Sequence, residues 1–244
     1  SAFLDCSNIV NHSYKNFKII NILINKILID KIDVDKLPEN LLDKSNIIFQ
    51  FKVLCLPNET FVEIKSEFKD NNTDIKKILC SSLVRSNSYL SNFKNEKFTG
   101  FLDIGLNRST LILYVNKKLV YINNISVGSH NITKDISHIM KLNLGESEQI
   151  KKMFNKSESN FSFLDQGYSD ERVAKKLINK KIPLNILKKV ILARVDEIFR
   201  LSFKDVQLSI QSLLKEKLLL VLIGRGSKIF DKNTFNFESI ENFK

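Results

Sequence analysis

The chain has 244 residues, 43% of them hydrophobic and 27% charged, with 38 Lys and Arg against 27 Asp and Glu and a formal charge of +11. That is enough for one large core or two small ones, and too apolar for a disordered tail. The basic residues stand singly and in pairs, not in a stripe with interleaved aromatics, which argues against a nucleic-acid partner. Cys6, Cys55 and Cys80 are far apart, with no CxxC spacing and no nearby His, so they read as reduced core residues, not as a disulfide framework or a zinc site. No apolar run approaches the ~20 residues of a membrane span. The opening Ser-Ala-Phe-Leu-Asp-Cys lacks the basic flank and apolar segment of a signal peptide. It also lacks an initiator Met and reads as the start of a fragment.

In chain order, residues 17–35 are rich in β-branched side chains and predict a strand or hairpin, followed by the Pro-marked polar loop KLPENLLDKS. Ile47–Leu56 predicts a second strand, closed by Pro57-Asn58. A short helix from Thr60 would carry Phe61, Ile64 and Phe68 on one face. Ile75–Cys80 predicts another strand, and the polar stretch 86–99 a joint holding the main domain boundary. Beyond it come a strand over Gly100–Ile104, a tight turn Gly105–Ser109, a return strand Thr110–Val115, a turn at Asn116-Lys117-Lys118 and a third strand Leu119–Ile125. Ser129 predicts the N-cap of a helix with Ile132, Ile136, Ile139 and Met140 on one face. A second helix runs from Glu146 to Phe154, and residues 155–170 read as a loop. Pro183 opens a long helix that carries Leu187, Val190, Ile191, Val195, Ile198 and Phe199 and extends to about Lys215. Leu218–Ile223 predicts a fully buried strand, ending in Gly224-Arg225-Gly226-Ser227.

Only seven glycines are present, so their placement is informative. Gly105 follows a strand ending near Asp103, Gly128 precedes a helix, and Gly224 and Gly226 end a strand. Each lies where backbone amides could face a ligand with no Cβ in the way, and Asp103 could hold magnesium through water. The plainer alternative is that these glycines only make turns and Asp103 caps one.

The order of these features resembles the FtsA family of bacterial cell-division proteins. The resemblance is carried by FLDIGLNRSTLILYVNKKLVY (101–121), SVGSHNITKDISHIMKLNLGESEQIKKMF (126–154) and LLLVLIGRGSKI (218–229). It implies an α/β, actin-like (ribonuclease H-like) ATPase fold, truncated at both ends and carrying the family's extra subdomain. By that resemblance, residues 1–60 are the extra subdomain and 61–98 the rest of the first large subdomain. Residues 99–128 and 186–244 form the second large subdomain, and 129–185 its small helical cap. It implies ATP and Mg as cofactors: Asp103 on the magnesium side, Gly105, Asn107, Arg108 and Gly128 about the phosphates, Glu148 and Lys151 at the ribose and adenine, and Gly224, Gly226 and Ser227 in the adenosine turn. From the residues alone, Glu148 and Lys151 are equally an ordinary exposed helix ion pair.

The resemblance further implies a division scaffold at the cytoplasmic face of the inner membrane. Such a scaffold self-associates into filaments and takes the FtsZ C-terminal tail on 129–185, where Lys134, Lys141, Lys151, Lys152, Lys156, Arg172, Lys175, Lys176, Lys180 and Lys181 supply a basic surplus. With no anchor helix visible, membrane contact is expected only indirectly. The sequence departs from the family at the phosphate turn, where Leu106 and Asn107 bring side chains to positions usually glycine, and Arg108 either compensates with charge or is merely solvated. Arg225 replaces another glycine, and Ser81 or Ser82 stands where an acid is usual. Weak nucleotide binding and undetectable hydrolysis are the expectations. The alternatives are a non-catalytic interaction module of the same fold and a pilus-assembly relative of it.

Overall fold

The computed structural model describes residues 1–34, 36–38, 46–154, 184–206 and 218–229. They fall into two compact units, Ser1–Asn92 and Phe93–Lys244.

The first unit opens with helix α1 (Ala2–Ser13) and a hairpin of β1 (Phe17–Ile29) and β2 (Ile32–Val34). Asp30 and Lys31 both have positive φ (49° and 71°), the two-residue turn whose twist matches antiparallel strands. Strand β3 (Ile47–Pro57) pairs antiparallel with β1, giving the order β2-β1-β3. Side chains alternate along β3, so Phe49 and Phe51 share a face and stack at 5.9 Å, and Phe51 meets Phe3 of α1 at 5.2 Å. Helix α2 (Asn58–Asp70) starts two residues before Thr60 because Asn58 is anchored: its backbone amide donates to Asn16 and its side chain to Lys15. Phe61 and Ile64 turn inward, but Phe68 is 47% exposed and leaves the expected apolar face.

Three further expectations change in this unit. Ile75–Cys80 joins no sheet; β-propensity without a neighbouring strand makes no ladder. The stretch read as a joint from residue 86 is helical at its start, within α3 (Ser81–Leu90), and at its end enters a strand. The cysteines are free as expected but half-buried, not core residues.

The second unit is built on a sheet of order β6-β5-β4-β7. Strands β4 (Phe98–Ile104), β5 (Ser109–Val115) and β6 (Lys118–Ile125) form an antiparallel meander, and β7 (Leu219–Ile223) pairs parallel to β4. Asn116 and Lys117, at φ 48° and 64°, make the β5–β6 turn. Leu102, Ile104, Leu111 and Leu113 face a core closed by helices α4 (Ser129–Met140), α5 (Leu144–Met153) and α6 (Leu184–Phe203). Within that core Ile132, Ile136, Ile150, Leu187, Ile191 and Ile198 are fully buried. The opposite face carries Phe101, edge-on to both Phe93 and Tyr114.

Ile139 is 49% exposed and drops out of the α4 core stripe. Helix α5 begins before Glu146 because Asn143 caps it: Asn143 Oδ1 accepts from the Glu146 amide (2.9 Å) while Glu146 Oε2 accepts from the Asn143 amide (3.1 Å). Strand β7 ends the sheet among the described residues, and of its residues only Ile223 is buried, so the fully buried strand expected at Leu218–Ile223 is half-covered. The single long helix expected to reach about Lys215 is interrupted: α6 ends at Phe203 and Lys204-Asp205 form a turn. The expected loop 155–170, Pro183 and residues 207–217 lie outside the described residues, as do Lys156, Arg172, Lys175, Lys176, Lys180 and Lys181.

Candidate functional site: a glycine-lined junction

Strand β4 delivers Asp103 between Thr110 of β5 and Ile223 of β7. Two-residue alternation puts it on the Phe101 face, away from the helices, and it is only 3% exposed. Beyond Ile104 the chain turns through Gly105–Arg108, closed by the Gly105 amide donating to the Arg108 carbonyl at 2.9 Å. Leu106, Asn107 and Arg108 are exposed at its tip.

The turn does not stand free. The first two amides of α4 donate into it, Ser129 to the Gly105 carbonyl (2.9 Å) and His130 to the Leu106 carbonyl (2.8 Å). Ser129 is therefore the first helical residue, not the cap. The capping position belongs to Gly128, whose amide is met by Asn131 Oδ1 at 3.0 Å. A Cβ on Gly128 would lie 2.5 Å from the Leu106 carbonyl oxygen and 2.7 Å from the Arg108 nitrogen. On Gly226 it would lie 2.7 Å from the Ile104 oxygen and 3.0 Å from Ser129 Cβ. Gly224 sits at φ 88°, and a Cβ there would strike Asp103 Oδ1 and the Ile104 oxygen. Ser227 Oγ donates to the Gly224 carbonyl at 2.7 Å, steadying the turn from β7 into the 3-10 segment Gly226–Ile229.

Glu148 and Lys151 reach the same junction through Ser129. Lys151 is 7% exposed, and its Nζ donates to the Ser129 carbonyl (3.0 Å), Thr133 Oγ1 (2.8 Å) and Glu148 Oε2 (2.6 Å). Thr133 Oγ1 in turn donates to Glu148 Oε2 at 2.6 Å. The pair is thus not an exposed surface ion pair: Lys151 is enclosed, its three protons meet three oxygens, and it is no part of the basic face expected of it. Burial alone would raise the Glu148 carboxyl, but hydrogen bonds from Lys151 and Thr133 and the charges of Lys151 and Lys152 hold it below its usual range. Burial pulls the Lys151 ammonium down against the opposing pull of Glu148.

The neighbouring Asp135 accepts from Arg194 of α6 through two bonds, at 2.6 and 2.9 Å, and Arg194 also pairs with Glu197. Thr133-Lys134-Asp135-Ile136 therefore ties α4 to α5 through its Thr, to α6 through its Asp, and to the core through its Ile. The sequence reading missed Thr133 and Arg194 as partners; they lie 15 and 59 residues from the groups they meet, and no local spacing signals them. Among the described residues no cluster of three or more His, Cys, Asp and Glu could hold a metal. No described helix is long and apolar enough to cross a membrane.

A family profile described as "Cell division protein FtsA" matches residues 101–224, just over half of the chain and the whole span of the junction up to Gly224. The chain belongs to the FtsA family. It is 30% identical over 104 residues to the cell division protein FtsA of Helicobacter pylori strain 26695, and equally to that of strain J99; the match takes in 38% of this chain and 21% of each relative. The chain thus spans about a fifth of the length of these curated relatives. Among solved structures it is similar to the PilM-PilN type IV pilus biogenesis complex, with TM-score 0.60, 12% identity, and coverage of 93% of this chain and 56% of that one. It is also similar to MreB5 of Spiroplasma citri bound to ADP, with TM-score 0.43, 12% identity and coverage of 76% and 59%. The fold is actin-like. The FtsA-family chain keeps the order of strand, turn, helix and glycine turn that the sequence predicts.

Proposed function

We propose that this FtsA-family chain is a cell-division scaffold that works by holding partners, with ATP and magnesium bound weakly. One observation carries the reading: the donors that would meet a nucleotide are already engaged within the junction. The Ser129 and His130 amides are taken by the carbonyls of the turn, and the Lys151 ammonium by three oxygens. Displacing each such bond costs roughly 0.5–1.5 kcal/mol, and more where a charge is involved. The notch at Gly128 is filled by the chain's own backbone, so the phosphate side fits a nucleotide poorly. The adenosine side fits better, since Glu148 remains about a third exposed and has a second carboxylate oxygen, Oε1, loosely approached by Lys152 at 3.7 Å.

In this proposal Asp103 takes the magnesium side, and Gly105, Asn107, Arg108 and Gly128 the phosphates. Glu148, positioned by Lys151, takes the ribose; Gly224, Gly226 and Ser227 border the adenosine. The partner is the acidic and apolar C-terminal tail of FtsZ, taken up on residues 129–185, where Lys134, Lys141 and Lys152 are exposed. The site of action is the cytoplasmic face of the inner membrane at the division plane, with filaments as the assembled form. Calorimetry tests both halves. ATP with magnesium is expected to bind more weakly than about 100 μM. An FtsZ tail peptide is expected to bind in the micromolar range, with affinity falling as salt rises. ATP at micromolar affinity or tighter, or no tail binding at low salt, would overturn the proposal. The pilus-assembly alternative draws support from the PilM likeness; it predicts that a PilN peptide binds where the FtsZ tail does not.

A further inference from the structure

Helix α2 sorts its charges by face. Glu59, Glu63, Glu67 and Asp70 recur at i, i+4, i+8 and i+11 along one stripe. Lys65 and Lys69 stand one turn apart on another, and Phe61 takes the place one turn before Lys65 where an acid would pair with it. Surface helices gain stability by alternating opposite charges at this spacing and lose it by stacking like ones. Neither lysine forms an ion pair among the described residues. The Lys65 ammonium lies 5.6 Å from the centre of the Phe61 ring, and Lys18 of β1 approaches the same ring at 5.8 Å.

The basic stripe lines a cleft. Val62, Lys65, Ser66 and Lys69, at i, i+3, i+4 and i+7, form one wall of a cavity of about 750 Å³. Sites for small molecules run roughly 300–1,000 Å³. After α2 the chain folds back through Asn72, at φ 54°, and residues 72–75 form the other wall. The turn is tied down. The Asn72 amide donates to the Lys69 carbonyl (2.9 Å), the Thr73 amide to the Phe68 carbonyl (2.8 Å), and the Asn71 side chain to the Glu67 carbonyl (2.8 Å). Three of the last four carbonyls of α2 are thereby occupied, which mutes the negative end that a helix C-terminus turns toward an anion. Donors then outweigh acceptors: two ammoniums, the Ser66 hydroxyl and the Asn72 side-chain amide, against Asp74, the one carboxylate of the lining. Thr73 Oγ1 donates to the Asn71 carbonyl at 3.2 Å and so offers the cleft an acceptor. Val62 and Ile75 supply an apolar patch.

We propose that this cleft binds a small phosphomonoester, its phosphate held by Lys65 and Lys69 and its organic part lying toward Asp74. A monoester carries close to two negative charges at neutral pH, matching two ammoniums, whereas the diester of a phospholipid carries one. The cleft lies in the first unit and shares no residue with the glycine-lined junction, so it stands independently of the division reading. An NMR titration of the full, isotope-labelled chain tests it. Glycerol 3-phosphate is expected to bind saturably with a Kd of about 0.1–1 mM. It should move the amides of Ser66, Lys69 and Asn72 and leave those of Gly128 and Gly226 in place. Dimethyl phosphate, a diester, and glycerol are each expected to bind at least about tenfold more weakly. Lys65→Gln with Lys69→Gln, which keeps helix propensity, is expected to weaken glycerol 3-phosphate by about tenfold or more. Lys76→Gln with Lys77→Gln removes the same charge from exposed positions outside the lining and should change it by less than about twofold. Asp74→Asn takes away the opposing charge and should tighten inorganic phosphate by about twofold or more. No saturation by about 10 mM glycerol 3-phosphate, equal binding of dimethyl phosphate, or shifts centred on Gly128 and Gly226 would overturn the proposal. So would an equal loss in the Lys76 and Lys77 variant, or weaker phosphate binding after Asp74→Asn.

Discussion

Lys151 is a charged group whose surroundings have been completed by the chain itself. Removing its ammonium takes the one close cation from an ionised, part-buried Glu148 and a donor from the Ser129 carbonyl, so Lys151→Met is expected to lower stability by about 2–3 kcal/mol in urea unfolding. Lys152→Met, whose side chain is 63% exposed, should stay within about 0.5 kcal/mol; equal effects would mean that the enclosure of Lys151 contributes nothing. Acid should expose the same cluster. The folded chain holds the Glu148 carboxyl below its ordinary 4.5, so below that pH the unfolded chain binds the proton more readily. The stabilisation is full above the ordinary value and is lost as pH falls through the lower, folded one. Glu148→Gln should therefore melt lower at neutral pH yet show a shallower loss between about pH 5 and pH 3. Parallel acid limbs would assign the acid sensitivity to other carboxylates.

At the scale of elements, the turn after β4, the start of α4 and the turn after β7 are locked by close backbone approach. Gly128→Ala should cost about 1–3 kcal/mol, because the Leu106 carbonyl cannot retreat without surrendering the His130 amide. Gly145, in the first turn of α5, meets only Asn143 Oδ1 at 3.4 Å; there Ala should be neutral or stabilising by up to about 1 kcal/mol. Thermal melts of the two variants moving together would remove the steric argument. Much of this element order is legible in the sequence, since strands β3 to β6 and helices α4 and α5 announce themselves by period and by turn residues. What is not legible depends on neighbours. Ile75–Cys80 has strand composition but no pairing partner, and Leu218–Ile223 has a buried strand's composition at the end of a sheet. The i, i+3 spacing of Glu148 and Lys151 is visible locally, whereas their enclosure depends on Thr133 and Ser129 of another helix. The capping pair Asn143–Glu146 was readable from its spacing and shifts the start of α5 to Leu144.

For the molecule as a whole, the two units should differ in how readily they open. Strands β4 and β5 lie beneath a closed core, with Phe101, Leu102, Ile104, Leu111 and Ile112 fully buried. Strands β1 and β3 are half-covered, with Ile27 alone buried. Native-state hydrogen exchange should therefore protect the β4 and β5 amides by at least about a hundredfold more than those of β1 and β3. Comparable protection would mean that the first unit is stabilised by something beyond its own packing.

The glycines at 128, 224 and 226 bear on how such chains are sorted by eye. Each is demanded by one stretch of main chain lying against another, whatever molecule is or is not bound nearby. A descendant that had ceased to use nucleotide altogether would still be unable to replace them without prising the junction apart. A signature built on these positions therefore counts intact architecture, and a survey that used it to count ATP users would count idle sites together with working ones.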